Sequence, residues 1–288
     1  MILCCGEALI DMLPRETAAG EPAFAPCPGG AVHNTAVALG RLEARAGLLT
    51  GLSSDLFGEM LRRGLDGAGV DHGLAVTADR PTTLAFVTLE DGQARYAFYD
   101  ENTAGRMITP ADLPAVPADV EALFFGGISL AAEPCGTAYE TLMLGEAGAR
   151  PVMLDPNIRP GFIADEAAYR ARLERMIAAA GIVKLSDEDL AWLIGGEDVQ
   201  AQAQAMRAMG AGLVIVTRGA AGATAYGSGA PVSVPARAVR VVDTVGAGDT
   251  FNAGLLAGLQ AAGALEAAAR GAPDPEALHA ALDLATRA

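Results

Sequence analysis

The run Asp243-Thr244-Val245-Gly246-Ala247-Gly248-Asp249-Thr250-Phe251-Asn252 reads as a turn that opens directly onto a helix. The apolar stretch Gly254-Leu255-Leu256-Ala257-Gly258-Leu259 follows at once, which places Gly246 to Asp249 at a helix N-terminus. Small residues there let the backbone approach a ligand closely, and the unpaired N–H groups of the first turn favour an anion. Asp249 adds a carboxylate beside that anion site, placed to take a proton from an attacking hydroxyl. A base next to an anion hole suits phosphoryl transfer to an alcohol. Taken alone, such a turn is more often a helix cap, and the remainder of the chain decides between the two.

Upstream, short apolar runs at 123–125, 151–154, 182–185 and 213–217 read as buried strands, with helices between them at 136–148, 166–180 and 200–209. Nearer the N-terminus, 1–12 reads as one buried strand presenting Glu7 and Asp11 towards its end. A helix over 31–42 follows Gly29-Gly30, 45–50 is a second strand, and Ser53-Ser54-Asp55 caps a helix over 56–68. This alternation predicts an α/β fold, one domain over 1–288, with a mostly parallel sheet covered by helices on both faces. One region departs from it. Residues 82–89 and 95–99 are β-rich and flank Glu90-Asp91-Gly92, a hairpin signal. With the proline-bounded stretch 14–28 they are expected to form a small antiparallel β-sheet, a lid made of about 13–28 and 82–100; a plain edge hairpin is the equal alternative.

The 288 residues are 51% hydrophobic and 19% charged, which describes a globular chain, and the formal net charge of -15 argues against nucleic acid and anionic membrane surfaces as partners. Positive potential for a phosphate must then come from helix ends, a few arginines and a metal. Lys184 is the single lysine. Cys4, Cys5, Cys27 and Cys135 lack C-x-x-C spacing, and His33, His72 and His279 are too scattered to join them in a metal cluster. The first ten residues lack the basic start of a signal peptide, and no apolar run reaches membrane-spanning length, so a cytoplasmic protein with reduced thiols is expected. The chain contains no G-x-x-x-x-G-K-[ST], and neither G-x-G-x-x-G at 29–34 nor G-x-S-x-G.

In a parallel sheet, ligands gather at the carboxyl ends of the strands. Asp11, Gly29-Gly30 with Asn34, Asp155-Pro156-Asn157-Ile158-Arg159-Pro160, Ser186-Asp187-Glu188-Asp189 and Thr217-Arg218-Gly219 all fall there. Gly29-Gly30-x-x-x-Asn34 and the 243–251 run together resemble the two signatures of the ribokinase-like (PfkB) carbohydrate kinases. Asp155-Pro156-Asn157-x-Arg159 and Val216-Thr217-x-Gly219-x-x-Gly222 fit the same pattern, in order along the whole chain. Within that family, Gly6-Glu7-Ala8-Leu9-Ile10-Asp11 and the 98–106 run resemble the bacterial fructokinase branch most, with the 2-keto-3-deoxygluconate kinases as nearest rival.

The resemblance implies roles. Asp249 would be the base, with Gly246 in the catalytic turn, the amides of Ala247, Gly248 and Asp249 stabilising the transferring phosphoryl group and Arg159 reaching the phosphate or the sugar. Asp11, Gly29, Gly30, Asn34, Arg106 and Asn157 would bind the sugar. Lys184, Ser186, Thr217, Arg218, Gly219 and Gly222 would line the nucleotide groove. ATP and Mg²⁺ are implied as cofactors, with Asp189 holding the metal through water, and K⁺ as a further ion. The implied partners are a small-molecule sugar and ATP, with no nucleic acid and no membrane, and a homodimer through the lid. Two departures stand out. Where the family often has Asn-x-x-Glu, this chain has Ser186 and Asp189. Relatives usually continue past the position of Ala288 with a strand and loop that close the adenine pocket and help hold the monovalent cation, so weaker ATP binding is expected. The expected reaction is D-fructose to fructose 6-phosphate; the alternatives are a 2-keto-3-deoxygluconate kinase and a non-catalytic sugar-binding protein on the same fold.

Overall fold

The computed structural model describes residues 1–90, 93–239 and 245–288, with the backbone alone for 88–90 and 93–96. Asp91 and Gly92 of the expected hairpin turn, and Asp243 and Thr244 of the C-terminal signature, lie outside the described residues.

The N-terminal half runs β1 (Ile2–Cys5), β2 (Leu9–Glu16), β3 (Pro22–Gly29), α1 (Ala31–Arg41), β4 (Ala46–Leu49), β5 (Gly51–Ser53), α2 (Leu56–Gly67), β6 (Val76–Ala78), β7 (Leu84–Glu90), β8 (Gln93–Tyr99) and β9 (Ala122–Gly126). It continues with α3 (Cys135–Glu146), β10 (Val152–Asp155), α4 (Glu166–Ala179), β11 (Ile182–Ser186), α5 (Asp187–Ile194), α6 (Val199–Ala208) and β12 (Leu213–Thr217). The C-terminal part is β13 (Ala223–Tyr226), β14 (Val232–Val234), α7 (Ala247–Ala261), α8 (Leu265–Ala269) and α9 (Pro275–Ala285).

The large sheet has the order β14-β13-β12-β11-β10-β9-β1-β4, parallel from β4 to β12, with β13 and β14 added antiparallel at one edge. Its strands are buried on both faces because successive side chains serve two cores. Ile2 and Cys4 pack with α1, α7 and α9, whereas Leu3 and Cys5 pack with α3 and α4. The chain runs outward from β1 in both directions, to β4 on one side and to β9 and beyond on the other. The crevice outside the carboxyl ends of β1 and β9 is therefore the topological switch point, where such sheets bind ligands.

Two expectations are corrected here. Residues 1–12 are not one strand: β1 belongs to the large sheet and β2 to a second sheet, with a corner at Gly6, where a Cβ would lie 2.5 Å from Val32 Cγ2. Asp11 thus sits within the small sheet rather than at the end of a core strand. The small sheet itself, β3-β2-β7-β8, is mixed, since β2 pairs β7 in parallel, and it begins at Leu9. Its edge strand β3 carries Pro22, Pro26 and Pro28, all exposed; proline is tolerated on an edge and blunts it against further pairing. The helix α5 and the antiparallel pair β13–β14 were not expected from the strand–helix alternation.

Candidate active site

The N-terminus of α7 begins at Gly246, whose φ of 77° is left-handed and suits glycine. The turn aims the first amides of the helix outward and sets Asp249 in its first turn. Asn34, in the first turn of α1, donates from Nδ2 to Asp249 Oδ2 at 2.9 Å, joining motifs 215 residues apart. The Thr35 hydroxyl adds a contact to the carbonyl oxygen of Asp249 at 3.2 Å. Asp249 is only 6% exposed, and burial pushes its carboxyl up to about 6, with Asp155 adding to the rise and the Asn34 bond and Lys184 opposing it. A carboxylate so poised is a competent general base near neutral pH.

The small sheet supplies a second wall. Asp11 lies opposite Cys27 on β3 and Ala85 on β7, and Ala85 lies opposite Phe98 on β8, so the four residues form one row across one face. Along β3 the odd positions 23, 25, 27 and 29 are more covered than the even ones, which marks this as the inward face. Glycine is needed at position 29, two residues along the same face, because a Cβ there would lie 2.1 Å from Asp11 Oδ2. Burial pushes the Asp11 carboxyl up to about 6. The next residue, Gly30, has φ 102° and is pressed against Glu7, whose carboxylate accepts from Ala31 N (3.0 Å) and Ser129 N (3.2 Å). Glu7 therefore pins the start of α1 to the end of β9.

Arg106 closes this wall from below the small sheet. Its Nη1 donates to Asp100 Oδ1 at 3.0 Å and its Nε to Glu133 O at 3.1 Å. It lies between a narrow cleft lined by Glu7, Thr83 and Ser129 and a cavity of about 380 Å³ lined by Phe98, Phe162 and Arg172. Phe98 and Phe162 meet edge to face at 5.0 Å, joining the small sheet to the loop that carries Arg159.

Along the strand ends, Asp155 is 1% exposed and its Oδ2 accepts from Lys184 Nζ at 2.9 Å and from Asn252 Nδ2 at 2.7 Å. Ser186 caps α5 by accepting from Asp189 N at 3.0 Å, and Asp189 Oδ1 accepts from Ile158 N at 3.1 Å. Thr217 ends β12 with its hydroxyl 3.3 Å from Leu185 O. Beyond it, Arg218 N donates to Gly222 O at 2.8 Å. Gly222 has φ 83° and no room for a Cβ, which would lie 2.1 Å from Val234 O.

The pfkB family carbohydrate kinase profile matches residues 1–274. A fructokinase of Rhizobium leguminosarum bv. trifolii is 54% identical over 284 residues, covering 96% of this chain and 87% of that protein. This chain is a member of the pfkB carbohydrate kinase family. Among solved structures, the fructokinase of Xylella fastidiosa with bound ATP superposes with a TM-score of 0.88 at 31% identity, over 99% of this chain and 89% of that one. The Vibrio cholerae fructokinase double mutant in its fructose-, ADP- and potassium-bound form gives 0.86 at 25% identity, over 99% and 89%. The α/β fold with its mostly parallel sheet, and the kinase class, are thereby established.

In this pfkB kinase the expected site residues divide into groups. Asp249, Gly246, Ala247, Gly248 and Asn34 are brought together at α7, and Asp11, Gly29 and Gly30 at the start of α1. Gly219 is exposed and left-handed at φ 47°, and a Cβ there would meet nothing within 4 Å. Among the described residues Arg218 Nε is buried without a hydrogen-bond partner. Asn157 takes a left-handed φ of 45°, and its backbone N–H donates to Asp155 Oδ1 at 3.2 Å. Arg159 is exposed, donating to the carbonyl oxygens of Ile158 (3.0 Å) and Asn157 of its own loop. Lys184 is buried inside the sheet end, engaged with Asp155. The sequence reading gave no role to Glu7, Thr35, Asp155 or Asn252, although Glu7 and Asp155 stand in the motifs quoted above and Asn252 lies one turn beyond Asp249 in the same helix; only Thr35 had no such signal.

Proposed function

We propose that this kinase transfers the γ-phosphate of ATP to the primary hydroxyl of D-fructose, giving fructose 6-phosphate. The observation that carries the reading is Asp249, buried at the α7 N-terminus and held by Asn34. The base takes the hydroxyl proton while the amides of Ala247, Gly248 and Asp249, in the turn opened by Gly246, receive charge on the phosphoryl group. Asp11, Asn34, Asn157 and the Gly29-Gly30 backbone bind the sugar hydroxyls, with Arg106 below and Arg159 at the phosphate. Ser186, Thr217, Arg218, Gly219 and Gly222 form the nucleotide groove, with Lys184 behind it. The neutral ketose is favoured over 2-keto-3-deoxygluconate. Arg106 is already paired with Asp100, and Glu7 lines the same cleft, which makes that corner unwelcoming to a sugar carboxylate.

Among the described residues no three His, Cys, Asp or Glu groups converge as a metal cage. The carboxylate of Asp189 suits a hydrated ion riding on the ATP phosphates, and Mg²⁺ there would neutralise phosphate charge. K⁺ activation is part of the same proposal and is read by replacing K⁺ with Na⁺. The enzyme works in the cytoplasm, where ATP is made and its thiols stay reduced. Its outer small-sheet face, where Phe24 and Tyr99 are 43% and 63% exposed around Phe86, pairs two copies; a sedimentation profile of one-chain mass would refute that dimer.

The test is ATP-dependent phosphorylation of fructose, 2-keto-3-deoxygluconate, ribose and adenosine, with Asp249→Asn alongside. Fructose turnover that collapses in the variant is expected. Preference for the sugar acid would move the substrate, and fructose binding without any turnover would favour a sugar-binding protein.

A further inference from the structure

Beneath the anion hole lies a charge arrangement that the reaction described above does not use. Asp155 and Lys184 end neighbouring strands, β10 and β11, and meet at 2.9 Å while 1% and 3% exposed. Asn252, 1% exposed, ties the same carboxylate oxygen to α7 at 2.7 Å. Gly248 and Asn252 are four residues apart and stack on one side of that helix. A Cβ on Gly248 would lie 3.2 Å from Lys184 Nζ. The ammonium is therefore lodged directly under the turn whose amides face the phosphoryl group.

A dry ion pair is a costly way to hold a helix on a sheet. Apolar side chains of the same volume usually serve as well or better, which points to a use for the charge itself. The residue type agrees. A chain rich in arginine uses its one lysine here, where a compact ammonium lies close under Gly248. The surroundings are acidic, with Asp155, Asp189, Asp249 and Glu7 gathered at the strand ends, so the incoming phosphate charge needs a fixed counter-charge close by.

We propose that Lys184 is a positioning residue for phosphoryl transfer: its ammonium, locked by Asp155, seats the α7 turn and supplies permanent positive potential behind the Gly248 amide. The inference rests on the kinase reading. Lys184 stays out of contact with the sugar and acts through the helix turn.

The test uses Lys184→Met, Lys184→Arg, Asp155→Asn and the double variant Lys184→Met/Asp155→Asn, with kcat, both KM values and the melting temperature. Lys184→Met strands a buried carboxylate and is expected to melt early. The double variant removes both charges together. It should regain the melting temperature while kcat stays down by about 10²-fold, the size of effect seen when one anion-hole donor is lost, with the sugar KM unmoved. Lys184→Arg keeps the charge and should be faster than Lys184→Met. A double variant that recovers wild-type kcat together with its stability would overturn the inference, as would an arginine variant no faster than the methionine one. A wild type that phosphorylates no sugar removes the kinase reading and this inference with it. That outcome is distinct from the other two, in which the wild type turns over.

Discussion

Asp249 combines two demands that oppose each other. As the proposed base its carboxyl, raised to about 6 by burial, has to be charged in a place that disfavours charge. Asn34, Asp155, Lys184 and Glu7 are the groups that face it, and only Asn34 and Lys184 ease its ionisation. The rate is expected to fall with unit slope as pH drops below about 6, which a kcat/KM profile reads. The effect on stability has the opposite sense. The folded-state value lies above the ordinary 3.8, so the native protein holds this proton more tightly, and stability is lost as pH rises from about 4 through about 6. Asp249→Asn, expected to lose about 10²- to 10⁴-fold in kcat, should therefore melt higher than wild type at pH 8, with the gain vanishing near pH 4. An Asn variant less stable than wild type at pH 8 would contradict the assignment. Gly29 sets a second residue-level expectation. Adding a Cβ only 2.1 Å from Asp11 Oδ2 must swing that carboxylate aside. Gly29→Ala should raise the sugar KM about 10-fold or more, the worth of a hydrogen bond to a charged group, with little change in melting temperature.

Helix α7 carries the proposed catalytic turn at one end and a glycine seam along its flank. Positions for a Cβ on Gly254 and Gly258 lie 2.6 Å from Ala285 Cα and 2.7 Å from Ala281 Cα on α9. Gly258→Ala gains about 1 kcal/mol of helix propensity. The obstacle is backbone, which cannot step aside, and overpacking costs about 1–3 kcal/mol. The net is a lower melting temperature with both KM values unchanged, since the seam lies away from Asp249. This helix was legible because its turn, base and apolar run are consecutive in the chain. The core strands were legible for the same local reason. Elements that misled did so through local chemistry as well: Glu7 interrupts an apolar stretch so briefly that β1 and β2 read as one, and four prolines between 14 and 28 hid two strands behind a loop-like composition. Ser186 followed three residues later by Asp189 is a capping pattern, so α5 was available to a closer reading. The Asp155, Lys184 and Asn252 cluster was not. Nothing in any of their neighbourhoods announces that strands β10 and β11 deliver them to one point under α7.

At the scale of the whole molecule, the described cysteines are free thiols, and Cys4, Cys5 and Cys135 are buried, the last with its thiol pushed up to about 12. Cys27 is half-buried on the inward face of the small sheet, opposite Asp11. A thiol reagent should therefore titrate one cysteine quickly in the native protein and the others only on unfolding. If the small sheet closes over the sugar, fructose should slow that first reaction; labelling indifferent to saturating fructose would argue against closure. The amines are engaged in the fold as well. Lys184 is ion-paired inside the sheet end, and the amino group of Met1 is bound by Asp119 O and Glu121 at 2.9 and 2.8 Å. The native surface accordingly offers acylating reagents, amine cross-linkers and enzymes that decorate lysine very little to attack. An amine-directed label on this protein would report that the fold had opened.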